Sequence, residues 1–97
     1  MARFKLAGAA KADLASIAKY TEDEWNKEQA RKYVRELKEC CARIASYPLS
    51  GRSAENLHIG LRRIEQGSHV IFYSIEDSGV VIRRILHKGM AAQQHDT

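Results

Sequence analysis

LRRIEQGSHVIFYSI, residues 61–75, is the stretch whose reading decides the fold. Gly67-Ser68 divides it into two runs rich in β-branched and aromatic residues, and glycine at the first central position suits a type II′ hairpin turn. The stretch is therefore read as two antiparallel strands, Leu61–Gln66 and His69–Ile75. A two-residue turn sets Gln66 opposite His69, Ile64 opposite Ile71, Arg63 opposite Phe72 and Arg62 opposite Tyr73. Downstream, Glu76-Asp77-Ser78-Gly79 reads as a second turn and Val80–His87 as a third strand. If Ile75 faces Val80, Phe72 opposes Arg83 and Ile71 opposes Arg84. Arg62, Tyr73 and Arg84 then share one face of the sheet, and Arg63, Phe72, Arg83 and His87 the other. The length of the second turn sets this pairing.

Upstream, Arg3–Ala7 alternates apolar and polar residues, as a short strand does. Ala10, Leu14, Ile17, Ala18, Thr21 and Trp25 then recur at helical spacing, giving a first helix from about Ala9 to Asp23. Asn26 is a good N-cap, with Gln29 three residues on. A second helix runs from there to about Ser46, with Ala30, Tyr33, Val34, Leu37, Cys41, Ile44 and Ala45 on its inner face. Pro48 disfavours helix at Tyr47, and Pro48–Gly60 reads as an ordered surface loop. The short link between the helices implies an antiparallel hairpin. The expected fold is α+β: an N-terminal strand, an antiparallel helical hairpin, then a three-stranded antiparallel sheet. HVIFYSI and VVIRRIL are apolar on both parities, yet a hairpin covers only one face of a sheet. The other face is expected to lie open as a concave site or docking surface, bearing the arginines.

Ninety-seven residues make one domain, taken as 1–97 with a polar, frayed tail at 91–97. Sixteen basic against twelve acidic residues give a mild +4, which favours acidic partners without indicating nucleic acid. Five of the six basic residues after position 48 fall between 61 and 88. No apolar run approaches the roughly 20 residues of a membrane helix. No secretory signal is evident, so a cytoplasmic location is expected. Cys40 and Cys41 are adjacent and cannot bridge each other on a helix; they read as reduced, partly buried thiols.

His58, His69, His87 and His95 lack metal-ligand spacing, and no C-x-x-C, H-E-x-x-H or phosphate-binding glycine motif occurs. No metal or cofactor is expected. Ser68-His69 is most simply turn chemistry. His87 ends a strand beside Lys88 and has the chemistry of a general acid or base, though the plain reading is a strand-end histidine. Trp25 reads first as core, and Tyr20 falls outside the inner face of its helix, where it suits a partner contact. Taken singly, each arginine lays its stem on apolar surface and its head in water. Taken as pairs, they make forks for carboxylates or phosphates.

AAKADLASIAKYTEDEW at 9–25, GLRRIEQGSHVIFY at 60–73 and VVIRRILHKGM at 80–90 together, in this order and spacing, resemble the ParE branch of the RelE/ParE superfamily, the toxins of bacterial type II toxin–antitoxin modules. The resemblance spans nearly the whole chain. It implies a RelE/ParE-like fold and a toxin neutralised by a ParD-like antitoxin, whose C-terminal segment wraps the hairpin and the sheet. It also implies DNA gyrase as target, with no direct sequence-specific nucleic-acid binding. Carried onto this chain, the antitoxin contacts are Tyr20, Trp25, Arg62, Arg63, Tyr73, Arg83 and Arg84, and the target contacts His87, Lys88 and Met90. The RelE branch implies the alternative, ribosome-dependent mRNA cleavage, with Arg63, Arg83 and His87 as the catalytic set. That set looks incomplete, since no tyrosine follows Tyr73. The chain also departs from the ParE pattern: Gly89 and Ala91 stand where the branch usually carries arginine and aspartate around the methionine.

Overall fold

The strongest periodic stripe becomes the longest element. In a computed structural model, which describes residues 3–93, α2 spans Lys27–Ser46 and buries Ala30, Leu37, Cys40, Cys41, Ile44 and Ala45. Asn26 caps it, its side-chain oxygen accepting the Gln29 N–H at 2.8 Å. The preceding helix α1, Gly8–Glu24, buries only Ala10, Leu14 and Ile17. Trp25, expected in the core, lies just beyond α1 and is 73% exposed. The chain then makes a short 3-10 turn at Pro48–Ser50.

The sheet has five strands, not three: β1 (Phe4–Leu6), β2 (Arg52–Ser53), β3 (Arg62–Gln66), β4 (His69–Glu76) and β5 (Gly79–His87), in the order β1-β5-β4-β3-β2. It is mixed rather than antiparallel, because β1 runs parallel to β5, with Phe4 opposite Val80 and Leu6 opposite Ile82. Parallel neighbours need a long connection, and here the helical hairpin and β2–β4 all lie between them in the chain. β2 arises inside the expected loop and pairs with β3. Its hold is Tyr73, whose buried hydroxyl donates to Pro48 O at 2.6 Å and accepts the Gly51 N–H at 2.9 Å. Gly51 must be glycine here, since a Cβ would stand 2.5 Å from that hydroxyl and 2.7 Å from Arg63 O.

The β3–β4 register is as expected, from Gln66↔His69 to Arg62↔Tyr73. Gly67 has φ +59° and no non-glycine residue described has positive φ, which fits the type II′ turn. The β4–β5 register is corrected. It has the expected Ile75↔Val80 pair and reaches Tyr73↔Ile82, but the next pairs are Phe72↔Arg84 and Ile71↔Ile85. Arg83 is therefore an extra residue, a β-bulge. Without it Ile82 and Ile85 would face opposite ways; with it both enter the core beneath the helices, alongside Ile71, Tyr73 and Val80. The two arginines between them are left exposed.

The other sheet face, expected to lie open, is covered. Val70, Phe72 and Leu86 pack under Ala54, Leu57, Leu61 and Ala91. The cover comes from the loop after β2 and from α3, Lys88–Gln93, which forms where a frayed tail was expected. Ala91 is 1% exposed, which gives that short helix its anchor. Gln94–Thr97, the remainder of that tail, lie outside the described residues.

Candidate functional site

With both sheet faces covered, two of the recesses that remain lie along the helices. The first is a groove of about 790 Å³ between α1, α2 and β1. Its apolar lining is Phe4, Ala18, Ala30, Val34 and Ala42. Lys27, Arg31, Arg35 and Lys38 of α2 border it, against Glu22 and Glu39. Those four cations fall at i, i+4, i+8 and i+11, one stripe of the helix. Small residues on the floor and cations on the rim suit an acidic amphipathic helix.

The second groove, about 490 Å³, lies between α1, the end of β5 and α3. Asp13, Ile17, Tyr20, His69, Ile85, His87 and Met90 line it. Asp13 holds one wall in place. Its carboxylate accepts from Arg84 Nε at 2.8 Å and Nη2 at 3.0 Å, and from the Ile85 N–H at 2.9 Å. The Asp13 side chain is 14% exposed. Because β1 ends opposite Ile82, that Ile85 amide would otherwise be an unpaired donor on an open strand edge.

The bulge also makes His69 and His87 direct cross-strand partners, their rings edge to face at 5.7 Å. The Tyr33 hydroxyl lies 2.6 Å from His69 Nδ1 and accepts the Ser68 N–H at 3.0 Å. Gly67 permits this, since a Cβ there would lie 2.8 Å from the Tyr33 ring. Burial lowers the His69 pKa from its ordinary value; neighbouring His87 lowers it further, and Asp13 opposes them. His87 Nδ1 accepts the Gly89 N–H at 3.1 Å. Lys88 pairs with Glu65 at 3.3 Å, and its amide donates to Ser68 O, so α3 starts pinned to the β3–β4 turn. Burial pushes the Cys40 thiol up and the Cys41 thiol up to about 12, so neither is a ready nucleophile.

The expected arginine groupings do not form. Arg62 reaches inward, donating to Leu49 O at 3.2 Å and Gly51 O at 2.5 Å, and Tyr73 is fully buried. Arg84 is turned to Asp13 instead of joining them. Arg63 lies over the Phe72 ring at 5.5 Å. Arg83 donates to Ser74 at 3.0 Å and lies 3.6 Å from Glu76, while His87 sits edge to face with His69. Arg83 and His87 thus engage separate sets of neighbours. Tyr20 and Trp25 are exposed on and beside α1, and Met90 is exposed on α3. His87 and Met90 share the second groove with Tyr20, while Lys88 flanks it on α3. Asp13, Tyr33 and His69 were missed as site residues, being read as helix surface, core and turn. The signal that finds the histidine pair is register, which the bulge shifted by one.

A family model described as ParE toxin of type II toxin-antitoxin system, parDE, matches residues 4–92. The chain belongs to the ParE toxin family. It is 44% identical over 95 residues to Toxin ParE1 of Caulobacter vibrioides, covering 98% of each chain. Toxin ParE1 of Mycobacterium tuberculosis is 37% identical over 89 residues, 91% of each chain. Among solved structures, the chromosomal ParDE system of P. aeruginosa superposes with a TM-score of 0.76 at 21% identity, over 90% of this chain and 96% of that one. The RelBE2 toxin–antitoxin complex of Mycobacterium tuberculosis gives 0.66 at 19%, over 90% and 98%. The fold is thus that of ParDE and RelBE toxins, and this ParE-family chain is a type II toxin.

Proposed function

We propose that this ParE-family toxin acts by binding rather than by catalysis, inhibiting DNA gyrase in the cytoplasm until a ParD-like antitoxin neutralises it. The observation that carries the antitoxin part is the hairpin groove, where an apolar floor runs beside the Lys27, Arg31, Arg35 and Lys38 stripe. An acidic amphipathic antitoxin segment lays its apolar face on Ala18, Ala30 and Val34 and its carboxylates on the stripe. No described helix is long and apolar enough to cross a membrane. The target part is supported by family membership and by the 44% identity to a ParE1 toxin. It is also supported by the different partners that Arg83 and His87 take, Ser74 and Glu76 for the one and His69 for the other, since cleavage through a 2′-hydroxyl needs base, acid and cations around one phosphate. A supercoiling assay with purified gyrase tests the reading. Lost supercoiling with trapped cleaved DNA, relieved by antitoxin, is expected. No inhibition at micromolar toxin rejects it. The RelBE2 likeness motivates the competing test: discrete cuts on translating mRNA that vanish in His87→Ala would favour a ribosome-dependent endoribonuclease.

A further inference from the structure

The hairpin groove accounts for an acidic partner and leaves the α1–α3 groove unassigned. The two recesses use opposite sides of one helix. Ala18 and Glu22 line the first; Asp13, Ser16, Ile17 and Tyr20 line the second. At about 100° per residue these sets point to opposite sides of the α1 axis. A partner seated in one therefore leaves the other reachable.

Their chemistry differs as sharply. The hairpin groove is bordered by four cations against two carboxylates. In the α1–α3 groove the one carboxylate, Asp13, is already bound by Arg84 and the Ile85 amide. His69 is held toward its uncharged form, with its Nδ1 on the Tyr33 hydroxyl. The Tyr33 hydroxyl takes the Ser68 N–H and shares a hydrogen bond with His69 Nδ1. His87 accepts from Gly89 at Nδ1, which leaves its Nε2 to donate. Apart from Ser16 the rest of the lining is apolar or aromatic, and it ends in two exposed large side chains from separate elements: Tyr20 of α1 at 67% and Met90 of α3 at 51%. Exposed tyrosine and methionine beside an apolar recess are the composition of a protein-contact hot spot. At about 490 Å³ the recess has room for a bulky side chain.

We propose that the α1–α3 groove is a second protein-docking site, in which a weakly charged segment of the toxin's target seats an aliphatic or aromatic side chain between Tyr20 and Met90 and offers a carbonyl oxygen to the His69–His87 pair. This rests on the reading that the chain acts by binding a target protein. It adds that target and antitoxin occupy separate grooves on either side of α1.

The test compares Tyr20→Ser/Met90→Asp with Arg31→Glu/Arg35→Glu. Each is titrated with purified gyrase holoenzyme and with a ParD-like antitoxin that binds the wild-type chain. The groove variant should lose about tenfold or more in gyrase affinity while its antitoxin affinity changes by no more than about twofold, and the stripe variant should do the reverse. Retained antitoxin binding also reports that the variant folds; Tyr20→Ala alone, at an exposed position, replaces it otherwise. The proposal falls if the groove variant binds gyrase as wild type does, or loses antitoxin as strongly as target. If wild type itself does not bind gyrase, only the gyrase reading fails, and growth arrest on expression without antitoxin becomes the readout. Arrest lost in the groove variant, with antitoxin binding intact, upholds the site. Equal arrest in both, or none from wild type, overturns it, as does self-association through Met90 that has no effect on arrest.

Discussion

The two faces of the sheet are covered by different means. Beneath the hairpin, Ile71, Tyr73, Ile82 and Ile85 meet a twenty-residue helix whose apolar stripe is continuous, and Leu37 and Ile44 are wholly buried. On the other face, Val70, Phe72 and Leu86 meet a loop and a six-residue helix that contribute Ala54, Leu57, Leu61 and Ala91. The first cover is set by helical periodicity and is rigid. The second is assembled from short pieces that can settle when a side chain is lost. Stability should therefore be concentrated on the hairpin side.

Truncation on each side tests this most strongly. Leu37→Ala should lower stability by about 2–5 kcal/mol in chemical denaturation, while Leu86→Ala should sit at or below the bottom of that range, about 2 kcal/mol, because its cover collapses into the space. Equal losses would break the contrast. Tyr73 joins the hairpin side to the β2 edge, and Tyr73→Phe should cost about 1–3 kcal/mol by stranding Pro48 O and the Gly51 N–H. A loss with no faster proteolysis at residues 48–53 would mean the hydroxyl does not anchor that loop. Asp13→Asn should cost less, about 0.5–1.5 kcal/mol, because an amide keeps the Ile85 contact and gives up only the charge-assisted half.

The smallest effect is a pH dependence. His69 is half-buried between Tyr33 of α2, His87 of β5 and Asp13 of α1, and its folded pKa lies below the ordinary 6.5. Above 6.5 the folded and unfolded chains both hold it uncharged, and its stabilisation is complete. As pH falls from there, the unfolded chain takes up the proton first, so stability drains toward the lowered folded value. Denaturation midpoints measured from pH 7.5 to 5 should fall, and His69→Gln should flatten that part of the curve. An unchanged slope would assign it to another group.

Much of the fold is legible in the residues. The α2 stripe, the Asn26 cap and the Gly67 turn are local signals, each with one physical solution. What escaped was nonlocal. β1 pairs with a strand more than seventy residues away, which no local pattern encodes. The bulge at Arg83 answers a conflict between pleat and core that is visible only once Ile82 and Ile85 must share a face. The site suffered most, because that one-residue shift sends Arg84 to Asp13 and brings His87 beside His69.

The Asp13 carboxylate on the Ile85 amide has a consequence for solubility. HVIFYSI and VVIRRIL are strongly β-prone, and a bare rim on β5 would invite a neighbouring copy to zip on, chain after chain, into a fibril. With the Ile85 N–H already taken by the Asp13 carboxylate, that stretch of rim has one donor fewer to offer an incoming strand.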